Sequence, residues 1–165
     1  HFALLTDSMY TAFKNHRLHR NFMGYTASKT KVMIGLGMSS ISDSWYAFAQ
    51  NEKELEAYYA RLEKDDLPIC KGHILTEEDL IIRRHILNLM CQFATSWQDP
   101  AMAFAEIPQV LDSLKEMEAD QLLHIGDQQL IVPDAGKPFI RNICMAFDLR
   151  LRRKMPETKI FSMTV

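Results

Sequence analysis

A turn with the composition of a ligand-binding site follows an apolar segment in the first quarter of the chain. Residues 32–36 are apolar and β-prone, and Gly35 and Gly37 stand at the end of this predicted strand. Because glycine has no side chain, a ligand or another backbone segment can approach closely there. Ser39 and Ser40 follow, and their hydroxyls both donate and accept hydrogen bonds. Ligands of open α/β proteins sit at the carboxyl ends of strands, so this turn is the first candidate site.

The cysteines do not have the spacing of a metal or cluster site. Cys70, Cys91 and Cys144 are far apart and form no C-x-x-C pair. We expect each of them to act as a small buried apolar residue. The sequence therefore predicts no metal ligands, and no residue pattern in it predicts a catalytic role. An odd number of widely spaced cysteines fits a reducing compartment, and we expect a cytoplasmic protein.

The overall composition excludes several classes of partner. The chain has 165 residues, of which 47% are hydrophobic and 24% charged, and its formal net charge is −2. These values are typical of a globular protein with one ordinary domain or two small ones. The charge gives no basic field that would attract nucleic acid, and no apolar run has the length of a membrane helix. We therefore expect neither nucleic acid nor a membrane among its partners.

Helices and strands alternate in the first half of the chain. The apolar spacing predicts helices over residues 9–17 and 52–64. Strands are predicted over residues 22–26 and 32–36, with a weaker one over 45–50. These strands are too few to close a sheet by themselves.

The second half of the chain is predicted to form a small helical module. Thr76 begins a helix that runs to about Ser96, and Gly126-Asp127-Gln128 is the turn of a hairpin. Further helices are predicted over 104–118 and from Pro138 to Pro156, and 159–165 is a short extended tail. The composition changes near Gly72, so we divide the chain into residues 1–72 and 73–165. Helices around a hairpin resemble a winged helix.

Several motifs carry a resemblance to a known family. They are R-N-F-x-G-Y-T at 20–26, I-G-L-G-M-S-S-I-S at 34–42, Gln50-Asn51, Arg83-Arg84, R-N-I-C-M-A-F-D at 141–148 and Phe161-Ser162. With them the chain resembles the oxygen-independent coproporphyrinogen III oxidases, a radical S-adenosylmethionine family. The resemblance covers the whole chain but only the carboxyl-terminal part of the family's polypeptide. It therefore implies that the chain is a fragment.

The resemblance implies an α+β fold that is mainly helical. Residues 1–72 would be the last βα portion of a partial radical-SAM barrel. Residues 73–165 would be a winged-helix-like helical domain that covers the mouth of the barrel. Because the earlier barrel strands are not in this chain, we expect exposed apolar strand edges in the first part.

The resemblance also implies a binding site for S-adenosylmethionine. Phe22, Met23 and Ile41 would line a pocket for a second molecule of it, and Gly35 and Gly37 would let backbone amides approach. The family often has glutamine where this chain has Met23. The alternative from the residues themselves is that Phe22 and Ile41 are ordinary core residues.

The activity implied by the resemblance is the oxidative decarboxylation of coproporphyrinogen III to protoporphyrinogen IX. The family uses S-adenosylmethionine and a [4Fe–4S] cluster held by a C-x3-C-x2-C motif, which this chain lacks. The partners would be coproporphyrinogen III and the missing amino-terminal barrel portion. The fragment would supply part of the pocket wall and a helical cover, and it would be inactive without the missing portion.

Two other functions remain open from the sequence. A haem chaperone of the same superfamily carries H-N-x-x-Y, and the arrangement of His19, Asn21 and Tyr25 departs from that spacing. A winged-helix nucleic-acid-binding module could use the basic end of the third helix. The same basic residues could bind propionates, or simply balance a helix dipole; they are Lys137, Arg141, Arg150, Arg152, Arg153 and Lys154.

Overall fold

The computed structural model describes residues 4–154, which form two compact units. One unit ends at Leu80 and the other begins at Ile81. Both combine helices with small sheets, so the predicted α+β class is confirmed.

The first unit consists mainly of short strands. Its helices and strands are α1 (Ser8–Lys14), β1 (His19–Asn21), β2 (Gly24–Thr26), β3 (Val32–Met33), β4 (Ile41–Ser44), β5 (Ala47–Asn51), α2 (Leu55–Leu62) and β6 (Ile69–Ile74). Strands β1 and β2 form a hairpin, and β3, β4, β5 and β6 form a sheet in that order. Helix α3 (Glu77–Gln92) begins in this unit.

Every strand pairing in the first unit's described residues is antiparallel. The expected βα arrangement is therefore not what these strands form. Only Trp45 and Tyr46 connect β4 to β5, and a parallel pair would need a crossover of a dozen residues or more. Residues 52–68, with α2, are long enough for such a crossover, but β5 and β6 still pair antiparallel.

Two strand predictions need correction. Residues 22–26 form the tip and second strand of a hairpin, and the strand predicted over 32–36 is limited to Val32–Met33. The weak strand predicted over 45–50 is present as Ala47–Asn51. Strand β6 was not predicted, because Lys71, Gly72 and His73 interrupt its apolar pattern.

The first unit buries little apolar surface. Among residues 4–80, the buried apolar side chains are Ala12 and Pro68. The edge strands carry Val32 at 60% exposure and Ile74 at 80%, so the expectation of exposed apolar strand edges is confirmed.

The second unit has a continuous apolar core. After α3 it contains β7 (Ala94–Ser96), a 3₁₀ turn (Pro100–Met102), α4 (Ile107–Asp112), α5 (Lys115–Ala119), β8 (His124–Gly126), β9 (Gln129–Ile131), a 3₁₀ segment (Asp134–Phe139), α6 (Ile140–Phe147) and α7 (Leu149–Lys154). The strands pair in the order β7-β9-β8. The fully buried side chains include Leu89, Val110, Leu114, Leu123, Leu130, Ile143 and Phe147.

The helices of the second unit are shorter than predicted. Helix α3 ends at Gln92 because Phe93 adopts a left-handed conformation with φ of 58°. The helix predicted over 104–118 is split into α4 and α5. The third helix is interrupted at Asp148, whose carboxylate accepts a hydrogen bond from the Leu151 amide at 2.9 Å. Pro156 and the tail at 159–165 lie outside the described residues.

The hairpin predicted around Gly126 is confirmed as β8 and β9. Among the described residues, no helix is long and apolar enough to cross a membrane.

Candidate functional site

The hairpin tip of the first unit presents two of the predicted site residues. Asn21 pairs with Gly24, so Phe22 and Met23 form a two-residue loop between β1 and β2. The Asn21 carboxamide oxygen accepts a hydrogen bond from the Met23 amide at 2.9 Å and closes the turn. Phe22 is 53% exposed and Met23 is 86% exposed. Both side chains are therefore accessible to a ligand or to another part of a larger protein.

Phe22 and Ile41 lie on one face of the four-stranded sheet. The Phe22 ring meets the Phe48 ring edge to face, with centroids 5.0 Å apart. Phe48 is opposite Asp43, and Ile41 is opposite Gln50. Because side chains alternate along a strand, all four of these sheet residues point to the same face. The sheet thus brings Ile41 and the Phe22 ring to a common surface.

Gly35 and Gly37 lie in the loop between β3 and β4, and the loop itself accounts for both glycines. A Cβ at Gly35 would lie 2.8 Å from the Ile41 carbonyl oxygen, so the close approach is by this chain's own backbone. Gly37 has φ of 93°, a conformation that favours glycine. The Gly35 amide donates to the Ser42 hydroxyl at 3.0 Å, and Ser42 points away from the Ile41 face. The approach of a ligand to these glycines stays a prediction.

Asn51 holds this loop, a role that no sequence pattern indicated. Its side-chain amide nitrogen donates to the carbonyl oxygens of Gly35 at 3.2 Å and Gly37 at 2.9 Å. Its backbone amide donates to the Ser40 carbonyl at 2.9 Å, and its own carbonyl accepts from the Cys70 thiol at 3.3 Å. The bonded residues are 11 to 19 positions apart in sequence, so no local pattern could reveal them.

The face that carries Ile41 has the chemistry of a site for a flat, partly polar ligand. Phe22 and Phe48 supply aromatic surface, and Ile41 supplies aliphatic surface. Gln50 adds an amide that donates to the Ser39 carbonyl at 3.3 Å, and Asp43 adds a buried carboxylate. Small-molecule sites combine apolar walls with a few such polar groups. Phe48 and Gln50 were not predicted as site residues; their alternation in the third strand was the available signal.

The second unit contains a fully buried histidine with a structural role. The Nε2 of His85 lies 2.7 Å from the Met102 carbonyl oxygen and Nδ1 lies 2.8 Å from the Thr95 hydroxyl. A carbonyl only accepts, so Nε2–H donates to Met102 and Nδ1 accepts from Thr95. The ring stacks on Phe147 with centroids 5.4 Å apart. Burial lowers the pKa of His85, against the opposing effect of the Met102 hydrogen bond. Neutral His85 joins α3, β7 and the 3₁₀ turn.

The basic end of the third helix is largely engaged within its own unit. Arg152 donates to the carbonyl oxygens of Ala146 at 3.2 Å and Gln109 at 3.3 Å. Arg153 pairs with Glu106. These contacts fasten α7 to α4, which does not favour a nucleic-acid-binding role. The haem alternative is not favoured either, because the His19 side chain is buried in β1.

The described residues do not form a cluster site. No group of three or more His, Cys, Asp or Glu side chains in residues 4–154 is arranged to hold a metal ion. Cys91 and Cys144 are buried, Cys70 is partly buried, and none of the three forms a disulfide.

The fold is similar to that of part of a radical S-adenosylmethionine enzyme. The structure of coproporphyrinogen III oxidase from Escherichia coli, described as a radical SAM enzyme, matches with a TM-score of 0.82 and 33% sequence identity. The match covers 91% of this chain and 36% of that one. No protein-family model matches the chain.

Curated relatives named oxygen-independent coproporphyrinogen III oxidase are similar to this chain as well. The oxygen-independent coproporphyrinogen III oxidase of Synechocystis is 37% identical over 100% of this chain and 37% of its own length. The protein of that name from Thermostichus vulcanus is 39% identical over 96% of this chain and 50% of its own length. The Escherichia coli protein is 35% identical over 93% of this chain and 35% of its own length.

These matches confirm the resemblance that the sequence motifs indicated. The chain is similar over nearly its whole length to part of the oxygen-independent coproporphyrinogen III oxidases. It spans about a third to a half of the length of the relatives it matches.

Proposed function

We propose that this chain works as the carboxyl-terminal part of an oxygen-independent coproporphyrinogen III oxidase. The reaction is the oxidative decarboxylation of two propionate side chains of coproporphyrinogen III, which gives protoporphyrinogen IX. The observation that carries the proposal is the common sheet face of Ile41 and Phe48 together with the edge-to-face contact of Phe22. The similarity to coproporphyrinogen III oxidases along nearly the whole chain supports it.

The residues of this face suit S-adenosylmethionine. An adenine ring can lie against Phe22 and Ile41, and Met23 adds a polarizable thioether beside them. The Asp43 carboxylate on the same face favours the positive charge of a sulfonium group. S-adenosylmethionine supplies radical chemistry when it is bound, and this chain's part is to orient it and exclude water.

A [4Fe–4S] cluster does not fit the cysteines of this chain. Cys91 and Cys144 are buried in the second unit, and Cys70 donates its S–H to a backbone carbonyl. The cluster ligands would come from other parts of a larger polypeptide. We therefore propose that the 165-residue chain is inactive by itself.

The arrangement proposed for the larger protein follows from the exposed apolar surface of the first unit. Its edge strands would complete a partial barrel, and the missing barrel portion would bury side chains such as Val32 and Ile74. The second unit would be a winged-helix-like cover, with β8 and β9 as the wing. Cysteines that form no disulfide fit a cytoplasmic location.

The direct test is anaerobic turnover of coproporphyrinogen III by the intact gene product, with its cluster reconstituted and S-adenosylmethionine supplied. We expect formation of protoporphyrinogen IX, and a loss of rate of about tenfold or more in Phe22→Ala. Phe139→Ala is the matched control, because Phe139 is an exposed phenylalanine of the second unit. An intact, cluster-loaded protein that leaves coproporphyrinogen III unchanged would overturn the proposal.

A further inference from the structure

We propose that Asn51 is a positioning residue for the S-adenosylmethionine site. It would fix the loop that leads into Ile41 without touching the ligand itself. This inference rests on the proposed function, and it assigns a role to Asn51, which belongs to the motif resemblance but was given no role by it.

The loop at residues 34–40 depends on Asn51 and its neighbour for its shape. It follows the two-residue strand β3 and lies outside the strand ladder. Asn51 binds it at three points, the carbonyl oxygens of Gly35, Gly37 and Ser40. The Ser39 amide adds a bond to the Glu52 carbonyl at 2.8 Å. The loop is thus fastened to the end of β5 along most of its length.

The chemistry of these contacts requires a carboxamide. The side-chain nitrogen of Asn51 has two hydrogens, and both are directed to carbonyl oxygens. The residue is 6% exposed, so water cannot easily replace these bonds. Aspartate has the same shape, but it would place an acceptor against two acceptors. Serine could donate only one hydrogen bond.

The consequence for the site lies in the residues beside the bonded carbonyls. Leu36 stands between Gly35 and Gly37 and is 86% exposed, so the two bonds present its side chain outward. Ile41 follows Ser40, whose carbonyl is held by the Asn51 backbone amide. A loop released from Asn51 would change the position of Leu36 and the start of β4, where Ile41 lies.

The test compares Asn51→Asp with Asn142→Asp in the intact gene product. Asn142 is an exposed residue of α6, so its substitution makes the same chemical change away from the loop. Three quantities are measured: the dissociation constant of S-adenosylmethionine, amide hydrogen exchange of residues 35–41, and the thermal unfolding midpoint. We expect Asn51→Asp to accelerate exchange in the loop and to weaken binding about tenfold, as the loss of one or two buried hydrogen bonds implies. Asn142→Asp should leave all three unchanged.

The inference is overturned if the folded Asn51→Asp protein binds S-adenosylmethionine as tightly as the unsubstituted protein. A lower unfolding midpoint with unchanged binding would mean that Asn51 only stabilises the fold. If Asn51→Asp does not fold, Asn51→Ser replaces it, and we expect a smaller loss of affinity for S-adenosylmethionine. Unchanged affinity in Asn51→Ser would overturn the inference in the same way. Phe22→Ala separates the two proposals. If it weakens binding and Asn51→Asp does not, only this inference fails. If neither weakens binding, the proposed function fails as well.

Discussion

At the residue scale, the candidate site combines predictable and unpredictable parts. Phe22, Met23 and Ile41 could be proposed as site residues because the motifs that contain them are contiguous in sequence. The Phe22–Phe48 contact and the bonds from Asn51 could not, because they join residues far apart along the chain. The glycines were predicted to allow the close approach of a ligand or of another backbone segment, and at Gly35 it is the Ile41 backbone that lies close.

The crowding at Gly35 predicts a loss of stability. In Gly35→Ala the new Cβ would meet Ile41 O and Ser40 Cβ at 2.8 Å, so the loop must shift. We expect the free energy of unfolding to fall by about 1–3 kcal/mol in urea titrations. The matched control is Gly72→Ala, where the nearest atom is the Phe48 carbonyl oxygen at 3.7 Å. Equal stability of the two variants would contradict the packing described for the loop.

The buried His85 predicts a dependence of stability on pH. Burial lowers its pKa below the ordinary value of 6.5, so the folded state favours the neutral ring. The contribution of neutral His85 to the free energy of unfolding is fully present above pH 6.5. It is lost as the pH falls from there toward the lowered pKa, because the unfolded chain binds a proton at a higher pH than the folded chain does.

The measurement is the free energy of unfolding between pH 7 and pH 5. His85→Gln keeps a donor for the Met102 carbonyl but does not titrate, so its stability should depend less on pH. His124→Gln is the control, since His124 is exposed on β8. A dependence as steep in His85→Gln as in the unsubstituted protein would show that other groups cause it.

At the scale of the elements, local signals were reliable where turns and caps define them. Gly126-Asp127-Gln128 predicted the second unit's hairpin correctly, because turn chemistry is local. Thr76 predicted the start of α3 within one residue. The end of α3 was missed because the apolar stripe continues through Phe93 and Trp97, although Phe93 leaves the helical conformation. Phe-Met is not a common turn pair, so the tip of the first hairpin was interpreted as strand.

The capping box of α3 predicts a measurable contribution to stability. The Thr76 hydroxyl accepts from the Asp79 amide at 3.2 Å, and the Asp79 carboxylate accepts from the Thr76 amide at 2.9 Å. We expect Thr76→Ala to lower the free energy of unfolding by about 1 kcal/mol. Thr30→Ala, in the exposed loop before β3, should have little effect. Chemical denaturation of both variants provides the comparison, and an unchanged Thr76→Ala would exclude a contribution of the cap.

At the scale of the whole molecule, the two units differ in how much apolar surface they bury. The second unit has fully buried leucine, isoleucine and phenylalanine side chains, whereas Leu36, Met23 and Ile74 of the first unit are at least 80% exposed. The exposed edges of the first unit were expected because the resemblance implies earlier barrel strands that are not in this chain. The amount of burial depends on which side chains meet in space, and no sequence pattern contains that information.

This difference predicts unequal protection from hydrogen exchange in the 165-residue chain. Backbone amides in the core helices α3 and α6 should exchange slowly, and those of β3 and β4 should exchange orders of magnitude faster. The reason is that burial of apolar side chains opposes local opening. Mass spectrometry of peptides from the exchanged protein resolves the two regions. Uniform protection would show that the first unit is stable by its own packing.

The central claim is that the face of Phe22 and Ile41 binds S-adenosylmethionine, and equilibrium binding tests it most directly. The intact, cluster-loaded gene product is titrated with radiolabelled S-adenosylmethionine, next to its Phe22→Ala and Phe139→Ala variants. The account predicts that the unsubstituted protein and Phe139→Ala bind a second equivalent, and that Phe22→Ala loses it or binds it at least about tenfold more weakly. A Phe22→Ala protein that binds both equivalents with unchanged affinity would contradict the account.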